Sequence, residues 1–115
     1  MRLMSFALTT PQVRRRKKTV TRRLGWLHLK VGDLVQPAKK CMGFKPGEKV
    51  ERIGAPIRIV SLRRERLDAI TQDDVIAEGF PDLTPGEFVT FFCSVNGCTP
   101  RTVITRIEFI YTEAP

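Results

Sequence analysis

The second half of the chain contains two helix starts in close succession, and these constrain the fold more than any other feature of the sequence. Thr71 stands before a pair of aspartates, which is typical of a helix N-cap followed by acids that favour the positive end of the helix dipole. Thr84 and Glu87, with a proline between them, form the pattern of a capping box. Gly79 and Gly97 mark the helix ends, because glycine tolerates the left-handed conformation found there. The sequence therefore predicts two short helices in succession.

Stretches rich in β-branched residues flank this helical pair. They predict strands over residues 5–8, 18–22, 34–37, 55–63 and 102–111. A short basic helix or turn is expected from Thr10, as its cap, to about Lys17. Five to six short strands with two to three short helices give an α+β fold and favour a small β-barrel. A chain of 115 residues with 42% hydrophobic residues fits one domain, residues 1–115.

Residue spacing predicts which side chains share a face of each element. Alternation along a regular strand over residues 18–22 places Lys18 and Thr21 on opposite faces, whereas a bulge would break that separation. Four apolar residues of the second helix recur at helical spacing and are expected to face the core: Phe88, Phe91, Phe92 and Val95.

Positive charge is concentrated at the start of the chain. Every charged residue among the first 30 is basic: Arg2, Arg14, Arg15, Arg16, Lys17, Lys18, Arg22, Arg23 and Lys30. The rest of the chain is close to neutral, so this segment accounts for the net charge of +8. Such a one-sided positive field favours a phosphate-bearing partner over an acidic protein or a membrane surface, and a solubilising charge run is the alternative.

The sequence gives no sign of membrane insertion or secretion. No apolar run approaches the roughly 20 residues of a membrane span. Residues 1–10 lack the apolar region and the cleavage site of a signal peptide. A cytoplasmic location without membrane contact is therefore expected.

The three cysteines do not fit a metal centre or a disulfide framework. Their odd number, in a chain without a signal peptide, argues against paired disulfides. A zinc site would need Cys41, Cys93, Cys98 and His28 to converge, and Cys93 and Cys98 lack the C-x-x-C spacing. Partly buried free thiols are expected, with no metal and no cofactor.

Several short motifs, taken in order, resemble those of the ASCH domain family. They are K-T-V-T-R-R over residues 18–23, G-D at 32–33, E-G-F at 78–80, F-V-T-F-F at 88–92 and the closing strand to Tyr111. With Gly25-Trp26 and Met42-Gly43, the pattern looks most like the small ASCH proteins of bacteriophages and prophages. The resemblance implies a PUA-like β-barrel whose wall contains a cavity for RNA or a modified nucleoside.

The resemblance also implies roles for individual residues. Some small ASCH proteins hydrolyse N4-acetylcytidine with a lysine as proton acceptor, a threonine as nucleophile and a glutamate as proton donor. Carried onto this chain, these are Lys18, Thr21 and Glu78, and Arg23 matches the arginine that helps form the pocket. A threonine hydroxyl needs a nearby base, and a lysine serves as one when burial or a neighbouring cation lowers its pKa.

Other residues are candidates for ligand binding. Arg16, Lys17 and Arg22 can supply neighbouring positive charge or phosphate contacts, and Trp26 can stack on a base or belong to the core. Hydrolytic relatives often have glycine where this chain has Arg16, and the added bulk and charge either narrow the pocket or favour a larger, phosphate-rich substrate. Plain alternatives exist for the site residues too: Lys18 as a phosphate contact, Thr21 as an ordinary strand residue, and Glu78 as a helix-end acid paired with a surface arginine.

Four functions follow from these observations. The leading hypothesis is an RNA- or nucleotide-binding domain with a basic face and a cavity for a base. The alternative is an amidohydrolase that deacylates N4-acetylcytidine-type nucleosides, without metal. A ribonuclease and, less favoured, a protein-interaction module are the remaining hypotheses.

Overall fold

The computed structural model describes residues 1–113, which form a small α+β domain with a five-stranded mixed sheet and three helices. The strands are β1 (Leu3–Ser5), β2 (Val20–Arg23), β3 (Leu34–Ala38), β4 (Ile57–Arg66) and β5 (Val103–Tyr111). The helices are α1 (Thr10–Arg14), α2 (Gln72–Ala77) and α3 (Pro85–Asn96), with a 3-10 turn at Leu67–Ala69. The predicted α+β class is confirmed.

The sheet has the strand order β1-β3-β4-β5-β2, so β1 and β2 are its two edges. β1 runs parallel to β3, and the other neighbours are antiparallel. The long strands β4 and β5 form the centre, and their register shifts between Ile59 and Ser61. Such a bulge increases local twist and bends a sheet.

The two edges of the sheet face the same cavity. Residues at the end of β1 (Ser5 and Phe6) and on β2 (Thr21 to Arg23) line it together, and the Arg23 guanidinium lies 4.8 Å from the centre of the Phe6 ring. Among residues 1–113, no backbone ladder joins β1 to β2. Side chains therefore close the curved sheet between β1 and β2, and the gap between these two edges is the cavity.

Two apolar clusters stabilise the domain. The first lies within the sheet and includes Met4, Phe6, Val35, Ile57, Ile59, Ile107 and Phe109. The second packs α2 and α3 against the 3-10 turn and the start of β5, and includes Leu67, Val75, Phe88, Phe92 and Ile104. Burial of this much apolar surface holds the two helices at the open side of the sheet.

Both predicted helix starts are confirmed. The Thr71 hydroxyl accepts a hydrogen bond from the Asp74 backbone N–H at 3.2 Å. Thr84 and Glu87 form a complete capping box, with bonds of 3.1 and 2.9 Å. The helix α3 ends at Gly97, whose φ of 64° is left-handed.

The elements at the start of the chain differ from their predicted bounds. β1 ends at Ser5, before most of the predicted strand over 5–8. Thr10 is the first residue of α1, not its cap, and its hydroxyl donates to the Phe6 carbonyl at 2.9 Å. β2 begins at Val20 because residues 18 and 19 are held elsewhere: the Thr19 N–H donates to the Ala77 carbonyl at 2.8 Å.

Candidate functional site

The cavity between the sheet edges has a volume of about 210 Å³ and two kinds of wall. Its polar wall includes Lys18, Thr21, Arg22, Arg23 and Glu78. Its apolar wall includes Phe6 and, from α3 and the residues before it, Phe80, Phe88, Phe91, Phe92 and Val95. An apolar pocket with a few convergent polar groups is the usual form of a small-molecule site.

Lys18 and Glu78 form a buried ion pair on the polar wall. The Lys18 ammonium donates to Glu78 Oε1 at 2.6 Å and to the Glu78 backbone carbonyl at 2.7 Å. The two residues are 2% and 3% exposed, so Lys18 is not one more surface cation of the basic segment. A pair this buried is costly to form, and close hydrogen-bonding geometry offsets that cost.

Short backbone contacts bring this pair together across a long stretch of sequence. The bond from Thr19 N–H to the Ala77 carbonyl fastens the start of the basic motif to the end of α2. On the other side, the Tyr111 hydroxyl donates to the Lys18 carbonyl at 2.5 Å. Lys18 is therefore fixed from two directions before its side chain reaches Glu78.

The position that follows Glu78 requires a glycine. Its φ of 99° is left-handed, and a Cβ at this position would lie 2.8 Å from Gln12 Cγ. Gln12 also donates to the Gly79 carbonyl at 3.3 Å. A larger residue here would push α1 away from the end of α2 and displace Glu78.

Thr21 and Arg23 form the second polar contact of the cavity. The Arg23 Nε donates to Thr21 Oγ1 at 3.0 Å, and Thr21 is 3% exposed. Because the hydroxyl oxygen accepts this bond, its own hydrogen is available to a base. Burial lowers the pKa of Arg23 to about 10, so the guanidinium remains a cation at neutral pH.

The electrostatics of the cavity favour the neutral form of Lys18, which can accept a proton. Burial lowers the pKa of the Lys18 ammonium, the pairing with Glu78 opposes this, and the nearby positive charges of Arg23 and Arg22 lower it further. The same group is thus held in hydrogen-bonding position and made easier to deprotonate.

The expected separation of Lys18 and Thr21 onto opposite faces is wrong, because both line the cavity. Lys18 precedes β2 and is not subject to strand alternation. Inside the strand, Arg22 lines the cavity beside Thr21 and Arg23 and extends its guanidinium to a set of carboxylates.

Arg22 links the cavity to a buried ionic network behind it. Its Nη2 lies 2.7 Å from Asp74 Oδ2 and 2.9 Å from Glu65 Oε2, and its Nη1 lies 3.5 Å from Glu78 Oε2. Arg106 also binds Asp74, at 2.6 and 2.9 Å. The Arg106 hydrogen bonds, opposed by burial and aided by Arg22, lower the pKa of Asp74 to about 2.

Acid should weaken the fold through Asp74. A carboxyl whose folded pKa of about 2 lies below its ordinary 3.8 stabilises the fold above pH 3.8, and this stability is lost as the pH falls towards 2. With allowance for solvent screening of a partly exposed group, we expect the free energy of unfolding to fall by about 1–2 kcal/mol. Chemical denaturation between about pH 5 and pH 2 measures it. Asp74→Asn should flatten this pH dependence and Asp73→Asn should not; equal curves for the two variants would contradict the assignment.

The remaining predicted ligand-binding residues lie outside this cavity. Arg16 lies beside Tyr111, with its guanidinium 5.4 Å from that ring, and Lys17 is exposed. Trp26 is half-buried against the sheet cluster, with the Arg2 guanidinium 4.0 Å from its ring centre. The structure thus gathers Lys18, Thr21, Arg22, Arg23 and Glu78 at the cavity, and places Arg16, Lys17 and Trp26 elsewhere.

Sequence reasoning missed part of the apolar wall. Phe88 and Phe92 are buried as predicted, but Phe91 is only half-buried and Val95 is 50% exposed. Both line the cavity, because α3 presents this side to the gap in the sheet and not to the core. Helical spacing identifies an apolar face without telling a core from a ligand cavity.

No cysteine among the described residues lines this cavity, although Cys41 lies close enough to Arg23 to act on the pKa of its guanidinium. Cys93 and Cys98 sulfurs are 3.8 Å apart at the end of α3, and all three cysteines are free and half-buried. Within residues 1–113, no cluster of three or more histidine, cysteine or acidic side chains is placed to hold a metal ion. No helix in that range has the length and hydropathy needed to cross a membrane.

Comparisons with known proteins do not extend this description. No protein-family model, curated protein or solved structure matches the chain. Inference about its function therefore depends on the geometry of its own residues.

Proposed function

We propose that the cavity binds a pyrimidine base and that the domain hydrolyses an acyl group from the exocyclic amine of an N4-acetylcytidine-type nucleoside. One observation carries this proposal: a buried Lys18–Glu78 pair, 2.6 Å apart, shares a cavity with the Thr21 hydroxyl. Nucleophile, base and acid in one partly apolar cavity are the arrangement that acyl transfer needs.

The pair supplies a base and an acid at once. Transfer of one proton across the short Lys18–Glu78 hydrogen bond leaves a neutral amine on Lys18 and a carboxylic acid on Glu78. In water the charged pair is much the more stable form. Burial removes much of that preference, because the charged forms lose their hydration.

The steps of the hydrolysis follow from this proton transfer. The neutral Lys18 amine takes the hydroxyl proton of Thr21 while its Oγ1 attacks the acyl carbonyl carbon. Arg23, already bound to Oγ1 at 3.0 Å, favours loss of the hydroxyl proton, and on attack the negative charge passes to the acyl oxygen. The carbon–nitrogen bond breaks as Glu78 protonates the departing amine, and a water molecule hydrolyses the acyl-threonine to free acid.

The size and lining of the cavity suit such a ligand. Its volume of about 210 Å³ is below the roughly 300–1,000 Å³ of drug-sized pockets, which favours one base with a small substituent. Phe80 and Phe91 lie on the apolar wall, with ring centres 5.3 Å apart, and supply flat faces for a base.

A second candidate function is binding of single-stranded RNA without cleavage. It is favoured by exposed cations of the basic segment: within residues 1–113, the side chains of Arg15 and Lys17 make no hydrogen bond or ion pair. Cations without acidic partners are suited to phosphates.

Incubation of the protein with N4-acetylcytidine distinguishes these functions. We expect chromatography to show cytidine and acetate, and mass spectrometry of an acid-quenched reaction to show one acetyl group on the peptide containing Thr21. Unchanged substrate would refute hydrolysis of this nucleoside. If single-stranded RNA nevertheless binds at low salt and is released as salt rises, the second candidate holds.

A further inference from the structure

A second cavity adjoins the segment that carries Lys18, since Arg16 lines it. It has a volume of about 320 Å³, and its charged lining is Arg14, Arg16, Arg52 and Glu113. Tyr111 joins the two sites: it lines this second cavity, and its hydroxyl donates to the Lys18 carbonyl. Among residues 1–113, three guanidiniums and one carboxylate line this cavity, so the described lining is positive.

Arg16 is held in an unusual backbone conformation at this cavity. Its φ of 58° is left-handed, which costs an L-residue with a side chain roughly 1–2 kcal/mol. Its guanidinium is fixed by the Glu113 carbonyl, to which Nη1 donates, and by the face of Tyr111. Two hydrogen bonds that end α1, from the Arg16 N–H to the Val13 carbonyl and from the Lys17 N–H to the Gln12 carbonyl, require this conformation, so the end of the helix positions the Arg16 guanidinium at the cavity.

The other two arginines can bind an incoming anion. Arg52 is exposed, and within residues 1–113 its side chain has no hydrogen-bond or ion-pair partner. Arg14 pairs with Glu51 at 2.7 Å, but both side chains are 54% exposed. Since exposed ion pairs contribute only about 0–1 kcal/mol, an anion can displace Glu51.

We infer that this second cavity is a phosphate-binding subsite that recognises the phosphate of a nucleotide whose base occupies the first cavity, or of its neighbour in an RNA strand. Arginine forks match phosphate oxygens in pairs, which gives this cavity its ligand class. The inference rests on the proposed function for the position of the base. It adds that a phosphate on the substrate strengthens binding beyond that of the free nucleoside.

Calorimetric binding of cytidine, cytidine 5′-monophosphate and a short oligocytidylate tests this subsite. Arg52→Gln should weaken the phosphate-bearing ligands about tenfold, as loss of one charge-assisted contact predicts, and leave cytidine unchanged. Arg16→Gly should do the same, and its fold is safe because glycine suits the left-handed backbone. Arg101→Gln removes an equally exposed arginine outside both cavities and serves as the matched control.

The outcomes separate the two sources of phosphate. A loss already seen with the monophosphate assigns the subsite to the nucleotide's own phosphate, and a loss seen only with oligocytidylate assigns it to a neighbouring one. Equal losses for Arg52→Gln and Arg101→Gln, or no loss for either, would overturn the inference. Because these affinities do not depend on turnover, they test the phosphate subsite whether or not the protein hydrolyses N4-acetylcytidine.

Discussion

Replacing Thr21 with valine is expected to lower the rate of N4-acetylcytidine hydrolysis by at least about 10³-fold, because the nucleophile is lost while the shape of the side chain is kept. Mass spectrometry should then show no acetyl group on the protein. Thr21→Ser keeps a hydroxyl and should retain measurable turnover with the acetylated intermediate. Valine fills the same buried volume, and the main structural change is the lost bond from Arg23 Nε.

Thr19→Val is the matched control for this substitution. Thr19 lies in the same motif, does not line the cavity, and keeps its two backbone bonds to Ala77 and Phe109 when its side chain changes. Its turnover should stay within about threefold of the unmodified protein, as for a substitution without a catalytic contact. A Thr21→Val protein that still hydrolyses the substrate at the rate of Thr19→Val would rule out Thr21 as nucleophile.

The sequence predicted the helical part of the fold well because its signals are local. The capping box at Thr84 and Glu87 involves groups a few residues apart, and nothing elsewhere in the chain competes with it. β2 was harder to predict because its start depends on a distant partner. Residues 18 and 19 have the β-branched alternation of a strand, yet the Ala77 carbonyl holds Thr19 outside it.

Dependence on distant partners also limits prediction of the site. The motif identified Lys18, Thr21, Arg23 and Glu78, and the structure places all four around one cavity. Arg22 was predicted as a ligand contact from its charge alone. Asp74 was predicted only as an acid of the first helical turn, and the structure makes it the partner of both Arg22 and Arg106. No local pattern reveals such pairings, since they join residues from three separate elements.

Replacing Lys18 with methionine tests the base and is expected to lower turnover by about 10²–10⁴-fold, the usual contribution of a positioned general base. The unmodified enzyme should become slower as the pH rises through the lowered pKa of Lys18, since the Lys18–Glu78 pair then loses the one proton that Glu78 gives to the departing amine. This fall should be absent from the residual activity of the variant. Binding of cytidine should change little, because methionine keeps the length of the side chain.

Lys17→Met is the matched control for the base, because it makes the same change at the adjacent, exposed lysine. Both variants lose one positive charge, so a purely electrostatic effect on an anionic ligand would weaken both alike. Removing Lys18 also leaves Glu78 buried with Arg22 Nη1, 3.5 Å away, as its one ion-pair partner among residues 1–113, so some loss of stability is expected and is measured by thermal unfolding. Lys18→Met/Glu78→Leu removes both charges and should recover much of that stability, while turnover stays low. Recovery of turnover together with stability would show that the buried pair serves only the fold, and that the proton acceptor lies elsewhere.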